Sequence, residues 1–483
     1  MSTSILFHDA TIITFDDATK RIKVVAPGSL WVQDDRIAGI YDADTPVPAD
    51  LPANTEKVDA TGKIISPGFV DTHRHGWQTA YRSIAANTTL PEYFVRYGQY
   101  AALGAFTADD VYAGQLAGLY ECLNAGVTTT LDHAHHCWDA ATSKAGLDAS
   151  IDSGLRVFWC YTFHDLPNGY DHAQQLQVAD KLRTDERLKT SPTEFGVAYD
   201  GWAMSPPETV ASVVEYVTTK DVNVLTTHSL GGPWVANHGP EVLEKHKVLN
   251  TPVPVVISHA SFVSDKDVEL LRSSNQYVSI TPESEMHYGH DHEHNHKFLD
   301  QCALGVDTHF TFSTDMVQQA RLWLQVTRRT LFREKLAQNT IGHPNPFDVE
   351  QAFYLATVAG GLALRRPDLG VIRKGAKADL VVFDGDSPNM LGFVDPVAAI
   401  LLHSNVGDVR HVLVDGRWRK KDGVLQPAAN TGADWADTIK PTFLKSARGI
   451  QEQWAARPLP TIEGKFWGVT PHAVIDKVNV VRK

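Results

Sequence analysis

The chain has 483 residues, 43% hydrophobic and 21% charged, enough for one large elaborated domain with a smaller companion and with no call for a disordered segment. Its 44 basic and 57 acidic residues give a formal charge of −13 with no basic stripe, which argues against nucleic acid and anionic lipid as partners. Cys122, Cys137, Cys160 and Cys302 form no C-x-x-C pair, so they read as reduced and buried rather than as a disulfide framework or zinc knuckle.

In chain order, the opening MSTSILFHDATIITFDD lacks the basic start and continuous apolar core of a signal peptide, and no later run is long enough to span a bilayer. A cytoplasmic protein is the expectation. Residues 1–66 hold short alternating runs with turn signals and little helix, and residues 371–431 have the same β character. Neither flank suffices for a core alone, so the two are predicted to pair into one small β-sandwich built from both chain ends. Between them, residues 67–370 alternate apolar β-rich runs with helical stretches. Strands are predicted at 68–75, 126–135, 156–163, 195–201, 222–230, 253–262, 276–285 and 309–315, with helices such as 107–126, capped by Thr107, and 205–220. Eight such units, with no G-x-G-x-x-G fingerprint, predict an α/β chain folded as a (β/α)8 TIM-type barrel. Residues 432–483 are predicted to pack on the barrel or on a partner subunit.

The polar residues fall where such a barrel does chemistry, at the C-terminal ends of its strands. In PGFVDTHRH, His73 and His75 point to one face of an extended strand while Arg74 points to the other. His133 and His135 close the second strand, His164 follows the third, and His228 and His259 end the fifth and sixth. Glu283 and Glu285 end the predicted seventh strand, and Asp315 the predicted eighth. Histidines recurring in register after apolar strands point to a metal site rather than to independent packing roles.

PGFVDTHRH, the strand-ending His228 and His259, FSTD, and the C-terminal GVIRKGAKADLVVFD together resemble the amidohydrolase superfamily. The likeness is greatest to the branch of cytosine, guanine and S-adenosylhomocysteine deaminases and triazine hydrolases. It implies one divalent ion per chain, zinc first with iron or manganese as alternatives, held by His73, His75, His228 and Asp315. It further implies that His259 contacts the attacking water or substrate oxygen and that Asp315 moves the proton. Relatives with two metals use a carbamylated Lys at strand four; FGVAYDGW has none, which favours a single ion. Three neutral imidazoles and a carboxylate suit a borderline cation and leave room for a reactant.

The chain departs from the pattern in one respect. Deaminases of this branch carry Glu three residues after the strand-five His, where this chain has Gly231. Glu285 is a candidate catalytic acid, with cationic-substrate binding or a rim ion pair as its other readings. Trp77, Gln78, His133, His135, Trp202, Glu283 and His290 are candidate substrate-binding residues, His133 and His135 equally readable as hydrogen-bonded supports. HYGHDHEHNH (287–296) reads more simply as a solvated loop than as a second metal site, with His290 nearest the mouth. The predicted function is metal-dependent hydrolysis of a C–N bond in a small cyclic or aromatic nitrogen compound, by deamination or by amide or amine hydrolysis. Dehalogenation, a lyase or decarboxylase step, or non-catalytic binding on the same barrel are the alternatives. A homodimer or larger homo-oligomer is expected.

Overall fold

Eight short runs rich in Val, Ile, Leu, Phe and Thr, most of them followed by a helix, build the sheet that carries the site. The computed structural model describes residues 3–290 and 295–480. The barrel strands are Phe69–Arg74, Val127–Ala134, Arg156–Phe163, Glu194–Tyr199, Leu225–Leu230, Val255–Ser261, Tyr277–Ile280 and Cys302–Leu304, hydrogen-bonded in that order. Every neighbouring pair is parallel. Every residue of the second, third and sixth strands is buried, as parallel strands covered by helices require. The ring closes through a parallel bridge between Arg74 and Asp307, with the amides of Val306 and Asp307 donating to the His73 carbonyl at 3.1 and 2.8 Å. Gly305 permits this approach, since a Cβ there would lie 2.8 Å from the His73 backbone nitrogen.

Six strands and both named helices stand within a few residues of their predicted places. Thr107 caps Ala108–Asn124 in a capping box with Asp110. Two strands are corrected. The seventh ends at Ile280, and Pro282 opens the helix Pro282–Tyr288, so Glu283 and Glu285 are helical. Residues 309–315 form no strand; the eighth is Cys302–Leu304. Alternating aromatic and Thr residues in HFTFSTD mimic a half-buried strand, but Phe310 instead packs on Tyr81 and Tyr93. Asp315 caps the helix Met316–Ala337.

Both chain ends share a second, nine-stranded sheet. Its two parts join where Lys63–Pro67 pairs antiparallel with Leu380–Asp384, and Ile5, Ile12, Leu30, Ile65, Leu380 and Val382 build its separate core. This is the β-sandwich expected from the flanks. Arg156, at the start of the third barrel strand, ties the two units together. Its guanidinium, 3% exposed, reaches Asp379 at 2.8 Å and Asp415 at 2.8 Å. Removing one partner of a buried pair leaves a charge uncompensated, so Arg156→Met is expected to cost about 3–5 kcal/mol. Denaturant unfolding checks this, and a loss below ~1 kcal/mol would contradict it.

The C-terminal stretch packs on the barrel through the helix Lys440–Ala456, with Trp454 Nε1 donating to the Arg96 carbonyl at 2.8 Å and Gln451 Nε2 to that of Ala80 at 2.9 Å. All four cysteines are buried and unpaired. Among the described residues no helix is long and apolar enough to cross a membrane.

Candidate metal centre

His73 and His75 emerge from the end of the first strand with their rings 4.8 Å apart, centre to centre. The zipper that closes the barrel sets Asp307 between them, its Oδ1 3.4 Å from Nε2 of each. His75 N donates in turn to the Asp307 carbonyl at 2.9 Å. His228 brings its Nε2 to 3.2 Å from that of His75. The outer nitrogen of each ring is engaged: His73 Nδ1 with Ser258 Oγ at 2.7 Å, His75 Nδ1 with the His133 carbonyl at 2.9 Å, and His228 Nδ1 with Asp200 Oδ2 at 2.8 Å. Each Nε2 is therefore turned inward, as second-sphere partners arrange in metal-ligating histidines.

The donors fit a divalent cation. His73, His75 and Asp307 offer ligand atoms within 4.8 Å of one another, and His73 Nε2 is buried with no hydrogen-bond partner. Burial holds the His73 ring well below the usual imidazole range, which keeps it neutral. Burial opposes ionisation of Asp307 also, but contacts from His73 and His75 outweigh it and hold the carboxyl well below its usual range. At His228 burial disfavours the charged ring, and the Asp200 carboxylate more than offsets it. His133 completes an overlapping cluster with His73 and His228. Among the described residues neither of its ring nitrogens has a hydrogen-bond partner, and Nε2 lies 3.5 Å from Asp200 Oδ2, the carboxylate that also holds His228.

The structure redistributes the remaining candidates. Asp315 lies outside the cluster: its Oδ1 accepts from Val317 N at 2.9 Å as a helix cap, and Asp307 is the carboxylate grouped with His73 and His75. Glu285 also leaves the reacting space. Its Oε1 accepts from Thr281 N at 2.9 Å and lies 3.3 Å from His259 Nδ1, where it orients that ring. A cavity of about 370 Å³ opens above the cluster, lined by His75, His228, His259 and Asp307 at its floor. His135, His164 and His290 line it as well; Trp77, Gln78, His133, Trp202 and Glu283 do not. Trp77, fully buried, donates to His135 Nδ1 at 2.9 Å, Gln78 to the Tyr93 hydroxyl at 2.9 Å, and Trp202 to Thr227 Oγ1 at 3.2 Å. Glu283 accepts from Gln318 and Gln319 on the helix after Asp315. Of the histidine-rich run, 291–294 lie outside the described residues.

Three polar lining residues beside the metal cluster were not anticipated from the sequence. Asp307 sits in LGVDT, ahead of the wrongly placed strand. Asp200 is the penultimate residue of FGVAYDG. His238 lies in the loop after strand five and donates Nδ1–H to the His228 carbonyl at 3.0 Å. Because Asp200 fixes both the His228 amide (2.7 Å) and its ring, Asp200→Asn is expected to weaken metal binding ~10–100-fold. Chelator competition measures this; unchanged affinity would refute the role.

The sequence profile of the amidohydrolase family matches residues 64–419, more than half of the chain. The chain belongs to the amidohydrolase family. Its match to a 5-methylthioadenosine/S-adenosylhomocysteine deaminase of Thermococcus sibiricus is 25% identical over 434 residues, covering 86% of this chain and 93% of that protein. A 5'-deoxyadenosine deaminase of Methanosarcina mazei is 25% identical over 441 residues, with the same coverage. Among solved structures, an adenosine deaminase from Xanthomonas campestris with bound zinc superposes with a TM-score of 0.76 at 16% identity, over 94% of this chain and 99% of that one. An atrazine chlorohydrolase from Arthrobacter aurescens complexed with zinc gives 0.74 at 18%, over 92% and 100%. These structural likenesses establish the shared barrel fold. As an amidohydrolase with deaminase relatives, the protein is a hydrolase of carbon–nitrogen bonds other than peptide bonds.

Proposed function

We propose that this amidohydrolase removes an amino group from a small nitrogen heterocycle, using one divalent ion, zinc first, held by His73, His75, His228 and Asp307. The reading is carried by Asp307 Oδ1 standing 3.4 Å from Nε2 of both His73 and His75, with His228 Nε2 3.2 Å from that of His75. The deaminases of T. sibiricus and M. mazei, matched over most of both chains, support the substrate class. Absence of a Lys from Glu194–Tyr199 supports a single ion.

Bound there, a divalent cation supplies Lewis acidity and makes hydroxide available near neutral pH. The Asp307 carboxylate would take a proton from the attacking water and return it to the leaving nitrogen, while the Ser284 hydroxyl donates to Oδ2 and so fixes the carboxylate plane. His259, steadied at Nδ1 by Glu285 and the Thr281 hydroxyl at 3.1 Å, would hold the oxygen of the attacking water through Nε2. Among the described residues no Lys or Arg lines the cavity while Asp165, Asp200 and Asp307 do, so phosphorylated substrates are disfavoured.

A second reading rests on Gly231. A Cβ there would stand 2.8 Å from the Ser261 carbonyl, so this stretch has no room for the missing acid, and Leu230 and Ala236 make the nearby wall apolar. A site without that acid suits a leaving group that departs unprotonated, such as halide. The deciding experiment offers zinc-loaded enzyme matched amino- and chloro-substituted purines and triazines. Ammonia release without chloride release supports deamination, chloride release alone supports displacement, and neither product overturns both.

A further inference from the structure

The chain beyond residue 419 lies outside the family match, yet its Trp467 lines the cavity. After the helix Lys440–Ala456 the chain runs past Pro460, whose carbonyl accepts from Arg96 Nε at 2.9 Å, into the hairpin Lys465–Phe466 with Thr470–Pro471. Thr470 Oγ1 donates to the Pro233 carbonyl at 2.7 Å, pinning the hairpin to the loop after strand five. Phe466, 8% exposed, is wedged between Trp234 at 5.6 Å and Phe94 at 6.0 Å, centre to centre. Its neighbour Trp467 stacks on it at 4.9 Å with planes 14° apart. Trp467 sits at the turn with φ +46°, followed by Gly468 at φ +74°.

The two rings have different tasks. Phe466 is buried and locks the hairpin, whereas Trp467 is 47% exposed and lines the cavity alongside Phe94, Tyr100, Met204 and Tyr288. The indole stacks on Phe466 and approaches Phe94 at 5.7 Å, centre to centre, and its half-exposed remainder offers an apolar, stackable surface to the cavity. His75, His228, His259 and Asp307, grouped at or after the ends of the barrel strands, line the same cavity.

We propose that Trp467 is a specificity-determining residue, its indole receiving an apolar or aromatic substituent on the heterocycle, remote from the carbon under attack. The substrate is thus a two-part molecule, a planar amino-heterocycle held over the metal ligands and an uncharged substituent stacked against the C-terminal hairpin. This rests on the heterocycle reading above and extends it to the far end of the ligand.

Isothermal titration of the metal-loaded full-length enzyme with adenine and with 9-benzyladenine tests it, against Trp467→Ala and Trp467→Phe. The wild type is expected to bind 9-benzyladenine about five- to tenfold more tightly than adenine, the range one aromatic contact supplies. Trp467→Ala should erase that preference without changing adenine affinity or melting temperature, and Trp467→Phe should restore most of it. No preference in the wild type, no binding of 9-benzyladenine, or a preference that survives Trp467→Ala would each overturn the proposal. Ammonia release is scored in parallel: binding preference without turnover defeats deamination and leaves the wall standing, and turnover without preference does the reverse.

Discussion

Asp307→Asn lowers kcat at least ~100-fold and leaves the protein folded, the usual scale for loss of a general acid–base group. The amide keeps the shape of the carboxylate beside Ser284 but cannot take up a proton from the nucleophile, and it is a poorer partner for a cation between His73 and His75. Asp315 is the control. Its carboxylate caps the helix Met316–Ala337 and does not line the cavity, so Asp315→Ala should cost about 1 kcal/mol of stability with turnover within about threefold of wild type. Parallel steady-state kinetics and denaturant melts distinguish the pair. A severe kinetic loss in Asp315→Ala with normal turnover in Asp307→Asn would reverse the assignment.

Removing an imidazole has a larger effect. His75 touches Asp307 through Nε2, approaches His228 Nε2 and is 3% exposed. His75→Ala deletes one of four donors, and its metal affinity is expected to fall by more than the ~100-fold that loss of an outer-sphere partner can cause. Activity should fall with it. Metal content after desalting, measured alongside kcat, reads both losses. A variant that retains about one ion per chain and works normally would remove His75 from the centre.

The barrel was legible because buried parallel strands leave a strong signature. Runs such as RVFWCYTF and VPVVISHASF have few polar atoms, and each stops at a residue with chemistry to do. His73, His75, His228 and His259 could be found because a residue at a strand end inherits its place from the strand. The carboxylate was harder. The eighth strand is only Cys302–Leu304, too short for a periodic signal, while HFTFSTD imitates one with side chains that serve an aromatic cluster and a helix cap. LGVDT held the relevant clue, a Gly before an Asp, but its meaning depends on Gly305 fitting against His73 across 232 residues of sequence.

The pocket walls were less legible for a related reason. Trp77 and Trp202 follow strand ends yet point into the protein, where each indole finds a hydrogen-bond acceptor, and linear spacing does not show which way a ring turns after the strand stops. Trp467 follows the last barrel strand, Cys302–Leu304, by 163 residues, so only the folded chain brings it to the cavity.

The central claim is that one ion is shared by His73, His75, His228 and Asp307. Anomalous diffraction at the zinc edge, from crystals of protein loaded with one equivalent of zinc, tests it most directly. The account predicts a single peak with the three Nε2 atoms at about 2.0–2.1 Å and an Asp307 oxygen at about 2.0–2.2 Å. A peak coordinated by Asp315 in place of Asp307, or no peak among these four side chains, would contradict it.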